Sequence, residues 1–261
     1  IFTNENDNTK IINILIEEKP TGEIFAGAGT GTTGTTVSFG VKENNYLGKG
    51  VSVDTVANIT PESLKGQFII ENPNYKNSDK SINLRVQASE VDKLSTQGYK
   101  SNKSGIAVGT NFEYYDDLYF GLSFDNFVEN ISVTSRASTL QKKNAGNYFD
   151  SFIGLDFSYD KRDQKFATTS GFYSNYSLDI PIFSETGTLN NSYDYKFFTE
   201  LYEDNITSAA LSLGTSFSIN DKNIKLSERL FVPGNKLRGF QRGKIGPKDG
   251  SDFIGGNYLT S

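Results

Sequence analysis

Period-two alternation of apolar and polar side chains recurs along almost the whole chain, and no other feature restricts its fold so tightly. From Leu118 to Asp125 one parity carries Leu118, Phe120, Leu122 and Phe124, and the other Gly121, Ser123 and Asp125. Over 206–219, Ala209, Leu211, Leu213, Phe217 and Ile219 share one side. Ser208, Ala210, Ser212, Gly214, Ser216 and Ser218 take the other. Within 149–160, Ile153, Leu155, Phe157 and Tyr159 oppose Phe152, Gly154, Asp156, Ser158 and Asp160. The pattern returns at 36–42, 51–59, 64–72, 81–88, 105–113, 171–183 and 193–203. Successive side chains of a β-strand point to opposite faces, so each segment predicts a two-faced strand. The intervening stretches are rich in Asn, Asp, Lys, Ser and Gly, as turns are, and nothing reads as a long amphipathic helix.

Alternation alone leaves two architectures open. A soluble sandwich would turn its apolar face to a core. A membrane barrel would turn it to lipid and line the lumen with the polar parity. Three features favour the barrel. The alternating runs exceed the ~5–6 residues usual in soluble strands. Aromatic residues gather near strand ends (Tyr114, Tyr115, Tyr119, Phe149, Phe172, Tyr173, Tyr193, Tyr195 and Tyr202), as interfacial girdles do. The polar parity is crowded with Gly, Ser, Thr and Asn, which leave room for a wet interior. The mean hydropathy of −0.45 suits either architecture. No apolar run is long enough for a membrane-spanning helix, which does not bear on spanning strands.

Composition narrows the function. The chain has no His and no Cys. That removes Ser-His-Asp triads, cysteine nucleophiles and zinc sites of the usual kind, so no enzyme, metal site or cofactor is expected. The carboxylate pairs Asp116-Asp117 and Glu17-Glu18 fall in turn-like or strand-end contexts and read as solvated charge. A formal charge of −5 with scattered Lys and Arg gives no basic field for nucleic acid.

The chain opens on Ile1 without a methionine and stops at Ser261 as if early in a strand, so both ends are expected to continue in a longer protein. Residues 11–20 form an apolar run closing in charges and Pro20, which predicts a strand of a small α/β module ending near Thr21-Gly22. The following strand, 23–31, places Gly27, Gly29 and Gly31 on one face. Glycine weakens a strand interior, so this strand should pair loosely, unless the glycines admit another backbone or a plug.

The segment from Glu228 to Asn257 departs from the alternation and is too long for a tight turn, and long ordered loops are usually functional. It reads Pro233-Gly234-Asn235-Lys236-Leu237-Arg238-Gly239-Phe240, then Ile245-Gly246-Pro247, then Gly255-Gly256-Asn257. In this it resembles the sixth extracellular loop of the BamA family, with Pro233 in place of the first glycine of the usual pair. The resemblance extends in order along the chain. Asn45-Tyr46-Leu47-Gly48-Lys49-Gly50 is similar to the family's early barrel turn, and Glu71-Asn72-Pro73-Asn74-Tyr75 to the turn after its fourth strand. Asp160-Lys161-Arg162-Asp163 with Thr168-Thr169-Ser170-Gly171 resembles a family hairpin, without its proline.

The resemblance implies an all-β, antiparallel transmembrane barrel over 22–261, incomplete at about eleven to twelve strands of an expected sixteen. Residues 1–21 would end the last POTRA module, and the loop at 220–255 would fold into the lumen. It implies that the protein inserts β-barrel clients into the bacterial outer membrane, with its N-terminal part in the periplasm. Its partners would be outer-membrane lipids, unfolded clients and accessory lipoproteins held through POTRA modules. Ile24, Ala26, Gly27, Ala28 and Gly29 would form a lateral seam strand. Arg238 would lead the loop motif, with Asp156, Asp179 or Glu200 as carboxylate partners within this chain. Gly239 would let the tip turn, and Phe240 would wedge against the inner wall. The alternatives are a TamA-like or two-partner-secretion transporter of the same superfamily, and a passive porin.

Overall fold

The structure, a computed structural model, describes residues 2–3, 10–11, 15, 17, 19–31, 34–95, 97–203, 205–232, 237, 239–240 and 243–261. One antiparallel sheet of 12 strands accounts for most of it. The strands are β1 (Gly22–Gly31), β2 (Gly34–Tyr46), β3 (Val51–Thr60), β4 (Ser63–Asn72), β5 (Lys80–Lys93) and β6 (Tyr99–Tyr115). They continue as β7 (Leu118–Val133), β8 (Gly146–Asp160), β9 (Gly171–Phe183), β10 (Thr188–Tyr202), β11 (Asn205–Ser218) and β12 (Tyr258–Thr260). Each pairs with its neighbour in the chain, so the sheet is an unbroken meander with β1 and β12 at its edges. Every strand expected from the alternation is present, and several are longer than their alternating cores, reaching 17 residues in β6.

Short turns close one end of the sheet at 47–50 and 116–117, with longer ones at 73–79 and 161–170. The other end carries the segments 94–98, 134–145 and 219–257. A short helix, α1 (Thr139–Lys143), forms within the second, where Ser138 supplies a capping box with Gln141. Residues 248–249 and 252–253 form a small ladder within the third.

The register settles which parity faces outward. Phe112 pairs with Phe120, Val108 with Phe124 and Ile106 with Asn126 across β6–β7. The same parity continues through Phe157 and Leu155 on β8 to Tyr176 and Leu178 on β9. Its side chains are exposed: Val108 is 51% accessible and Phe124 47%. The inward parity carries Gly109, Ser123, Asp125, Asp156, Ser177 and Asn190. This is the arrangement of a membrane barrel, with apolar side chains outside and polar ones within. In water so large an apolar face would be a liability, since monomeric soluble proteins rarely expose contiguous patches beyond a few hundred Å². Among the described residues the buried apolar cluster is small: Tyr99, Ile131, Leu226 and Ile254, all at the long-loop end.

Outward aromatics form a chain of ring contacts near the short-turn end. Phe112–Phe120, Phe120–Phe157, Tyr159–Phe172 and Phe172–Tyr195 lie 5.0–6.0 Å apart between centroids. Inside, two glycines receive rings. A Cβ on Gly40 would meet the Phe25 ring at 2.6 Å, and one on Gly105 would meet Phe127 at 2.2 Å. Both rings lie across the neighbouring strand where only glycine leaves room.

Before the sheet, Phe2–Thr3 pair with Lys10–Ile11. The strand expected over 11–20 falls largely outside the described residues, and Leu15 is fully exposed.

Candidate functional site

The inward faces of β5 to β10 enclose a polar cavity of about 520 Å³. Arg85 and Lys103 line one flank and Asp125, Asp156 and Asp179 the other, with Asn83, Asn111 and Asn190 also in the lining. Side chains of the same or the neighbouring strand supply the hydrogen bonds. Ser177 and Asn175 donate to Asp156, Ser123 to Asp125, and Ser216 to Asn190. A wall of this chemistry accommodates water and polar side chains.

The base of the 219–257 segment reaches this cavity through Glu228. Ile224, Lys225 and Leu226 are all buried, and a single 3₁₀ turn over Leu226–Glu228 follows. Leu226 joins the apolar cluster with Tyr99 and Ile131. Between its two apolar neighbours, Lys225 carries a fully buried ammonium. It donates to Asp150 of β8, and lies 3.5 Å from Glu129 of β7 and 3.1 Å from Glu228. Burial alone would pull the Lys225 ammonium down, but Glu228, Glu129 and Asp150 outweigh it and hold the group above the ordinary lysine range. Glu228 is pushed up by its own burial, against the opposing pull of Lys225.

The two legs of the segment are joined below its tip. Leu230 and Gly256 exchange backbone hydrogen bonds of 2.8 Å, and Ile254 donates to the Pro247 carbonyl. Gly255 has φ +75°, and a Cβ there would lie 2.7 Å from the Phe231 ring and 2.9 Å from the Leu230 carbonyl oxygen. Only glycine satisfies both demands. The Asn257 carbonyl then accepts from Ser216, which returns the chain to β11. From the side, Gln141 donates to the Gln97 carbonyl and to Asp252, and Ser138 to Asp249. The segments 94–98, 134–145 and 243–257 are therefore one interlocked cap.

An ordered meander with apolar residues outside, polar residues inside and a long segment anchored to the inner wall is a specific combination. Residues 45–261 match the model of the Omp85 superfamily domain. The chain belongs to the Omp85 superfamily. It is 24% identical over 273 residues to a SAM50-like protein of Schizosaccharomyces pombe, covering 96% of this chain and 54% of that protein. The chain thus spans about half the length of the curated relative it matches. In fold it is similar to BamA from Haemophilus ducreyi lacking POTRA domains 1–3, with a TM-score of 0.79 at 17% identity. That match covers 94% of this chain and 52% of the other.

In this Omp85 chain, the sequence-predicted loop residues are placed unevenly. Gly234 and Arg238 lie outside the described residues, and so does any pairing of Arg238. Gly239 has φ +85° and Gly246 φ +119°, values that favour glycine. Leu237 is 37% exposed, and Phe240, expected as a wedge against the inner wall, is 63% exposed. Ile245, Pro247, Gly255, Gly256 and Asn257 belong to the cap or its return leg. Asp156 and Asp179 face the cavity, and Glu200 shares the inward parity of β10 toward the short-turn end.

Along β1, Ile24, Ala26 and Ala28 face outward opposite Val41, Phe39 and Val37, while Gly27 and Gly29 face inward opposite Ser38 and Thr36. All ten residues of β1 are exposed, and a Cβ on Gly27 or Gly29 would meet nothing within 4 Å. Among the described residues nothing packs against these glycines.

Lys225, Glu129, Asp150 and Glu228 were not anticipated. The carboxylates could have been read, since Glu129 and Asp150 extend the inward parity of Asp125 and Asp156, but no local feature marked Lys225 as their cation.

Proposed function

We propose that this Omp85 chain is part of a protein that assembles β-barrel clients in an outer membrane, and that β1 is the edge offered to them. A strand entering hydrocarbon must satisfy its backbone N–H and C=O groups, each costing several kcal/mol if left unpaired. An edge strand lowers that barrier by pairing with the incoming strand, as in β-augmentation. The observation that carries this reading is the state of β1. Its inward positions Gly27 and Gly29 present no side chain toward Ser38 and Thr36 of β2, so β1 brings little cross-strand contact to any strand it meets.

Superfamily membership supports the general assembly role. The seam at Ile24–Gly29 and an Arg238-led loop motif are the finer parts of the proposal, with Asp156 and Asp179 as the cavity carboxylates suited to a guanidinium. Its partners would be membrane lipids, unfolded clients and accessory subunits engaging the segment before Gly22, the proposed end of a POTRA module. The relatives come from a bacterium and a fission yeast, so the compartment is proposed as an outer membrane without choosing the lineage.

The test is reconstitution of the full-length protein in lipid vesicles with an unfolded barrel client. The proposal expects client insertion, read as protease resistance, to rise well above that of empty vesicles. Steady solute conductance with no gain in insertion would favour a passive pore and overturn it, and export of a client into the vesicle interior would favour a transporter of the same superfamily.

A further inference from the structure

We infer that Lys225 is a positioning residue: a buried latch that holds the base of the 219–257 segment on the inner wall and so keeps the polar cavity roofed. The inference rests on the reading of this chain as a barrel-assembly protein but adds a gate to it.

The wall half of the latch is built without the loop. Glu129 on β7 accepts from Ser101 of β6 at 2.6 Å, and Asp150 on β8 accepts from Ser184 at 2.6 Å. Each carboxylate therefore keeps one oxygen tied to the wall and turns the other to Lys225. The side chains of Glu129, Asp150 and Lys225 have no solvent exposure. Were the loop base to shift only part of the way, the two oriented carboxylates would lose the ammonium before water could replace it. Like charges so placed repel, and each lacks its hydration, so the half-withdrawn arrangement is unfavourable. The lysine is in the same position, since its ammonium is stabilised by three carboxylates or else by bulk water. Two favourable arrangements follow, base seated or base released, with little between them.

Glu228 links the latch to the cavity. It shares Lys225 from the loop side and lines the cavity beside Asn190. It also meets Thr188, an inward residue of β10 with no exposure. Seating Lys225 thus seats Glu228 over Thr188. The segment is also fastened by the packing of Leu226 and Ile254 against Tyr99 and Ile131, and by two partly exposed hydrogen bonds, Ser138 to Asp249 and Gln141 to Asp252, which water can replace. The buried ion pairs are the polar part of this anchor, and the part whose loss leaves charges unpaired.

These 261 residues contain no cysteine, and any thiol elsewhere in the full-length protein is first replaced by serine, so that a single reporter thiol is read. The full-length protein in lipid vesicles carries Thr188→Cys and is labelled with a polar maleimide. With Lys225 in place, labelling is slow. Lys225→Met keeps the stem and removes the charge, and labelling accelerates by at least about tenfold. Lys225→Arg restores the charge and returns the rate to within about threefold of the parent. If Lys225→Met does not fold, Asp150→Asn, which leaves the loop packing intact, decides the matter by the same acceleration. An unchanged rate in the folded variant, or equal acceleration in Lys225→Arg and Lys225→Met, overturns the latch. Client insertion by the parent protein is followed in the same vesicles. Its absence refutes the assembly reading without touching the labelling result, and the converse holds.

Discussion

Valine at Gly27 and Gly29 probes the loose edge directly, because the local geometry allows the effect to be worked in advance. A Cβ at either position meets nothing within 4 Å, so neither substitution has a steric cost. Glycine inside a strand is destabilising by roughly 0.5–1 kcal/mol relative to alanine. The β-branched side chain adds a further fraction of a strand scale that spans ~1 kcal/mol. Two positions together favour an ordered β1 by about 1–3 kcal/mol, which is roughly five- to 150-fold in the equilibrium between firm and loosened edge. Cross-strand contact with Ser38 and Thr36 acts in the same direction. The double variant, reconstituted with an unfolded client, is expected to resist heat better than the parent while inserting client at least about fivefold more slowly. Raised heat resistance with undiminished insertion would refute the reasoning, since the edge would then have been firmed without consequence.

At Gly105 the same substitution has the opposite sign. The new Cβ falls 2.2 Å from the Phe127 ring and 2.5 Å from the Asn126 carbonyl oxygen, so Gly105→Val is expected to cost about 1–3 kcal/mol, measured by heat-dependent gel mobility. Leu226→Ala opens a cavity among Tyr99, Ile131 and Ile254 at about 2–5 kcal/mol, and faster proteolysis within 219–257 reports it. The Thr169 hydroxyl, with the backbone N–H groups of Ser170 and Thr169, holds the Asp163 carboxyl down to about 2, below its ordinary 3.8. A depressed carboxylate stabilises the turn fully above its ordinary value and loses that contribution as pH falls from there through about 2. Acid-protease cleavage within 161–170 should therefore accelerate across that window in the parent, and Asp163→Asn should show no such step.

Most of the strand framework was legible because alternation is a local property. Leu118 to Phe124 and 206–219 declare two faces without reference to any neighbour, and the register only confirms which residues share a side. The direction of those faces was not local. It rested on strand length and girdle aromatics until the exposure of residues such as Val108 and Phe124 decided it. The loop was visible as a break in period and Gly255 only as part of a motif, whereas the reason for that glycine, a positive φ beside Phe231, needed the fold. Lys225 was not visible. Its partners lie 96 and 75 residues away, at Glu129 and Asp150, and only the pairing of β7 with β8 brings those carboxylates together. Helix α1 escaped for another reason: five residues are too few to display a helical period.

A nitroxide scan of residues 118 to 128, one cysteine at a time in the otherwise cysteine-free chain, measures directly whether the apolar parity meets lipid. The account predicts that labels at Phe120, Leu122, Phe124 and Val128 relax with oxygen dissolved in the bilayer. Labels at Gly121, Ser123 and Asp125 should relax instead with a water-soluble paramagnetic complex, in strict period two. Oxygen contact that fails to alternate, or that peaks at Ser123 and Asp125, would contradict it.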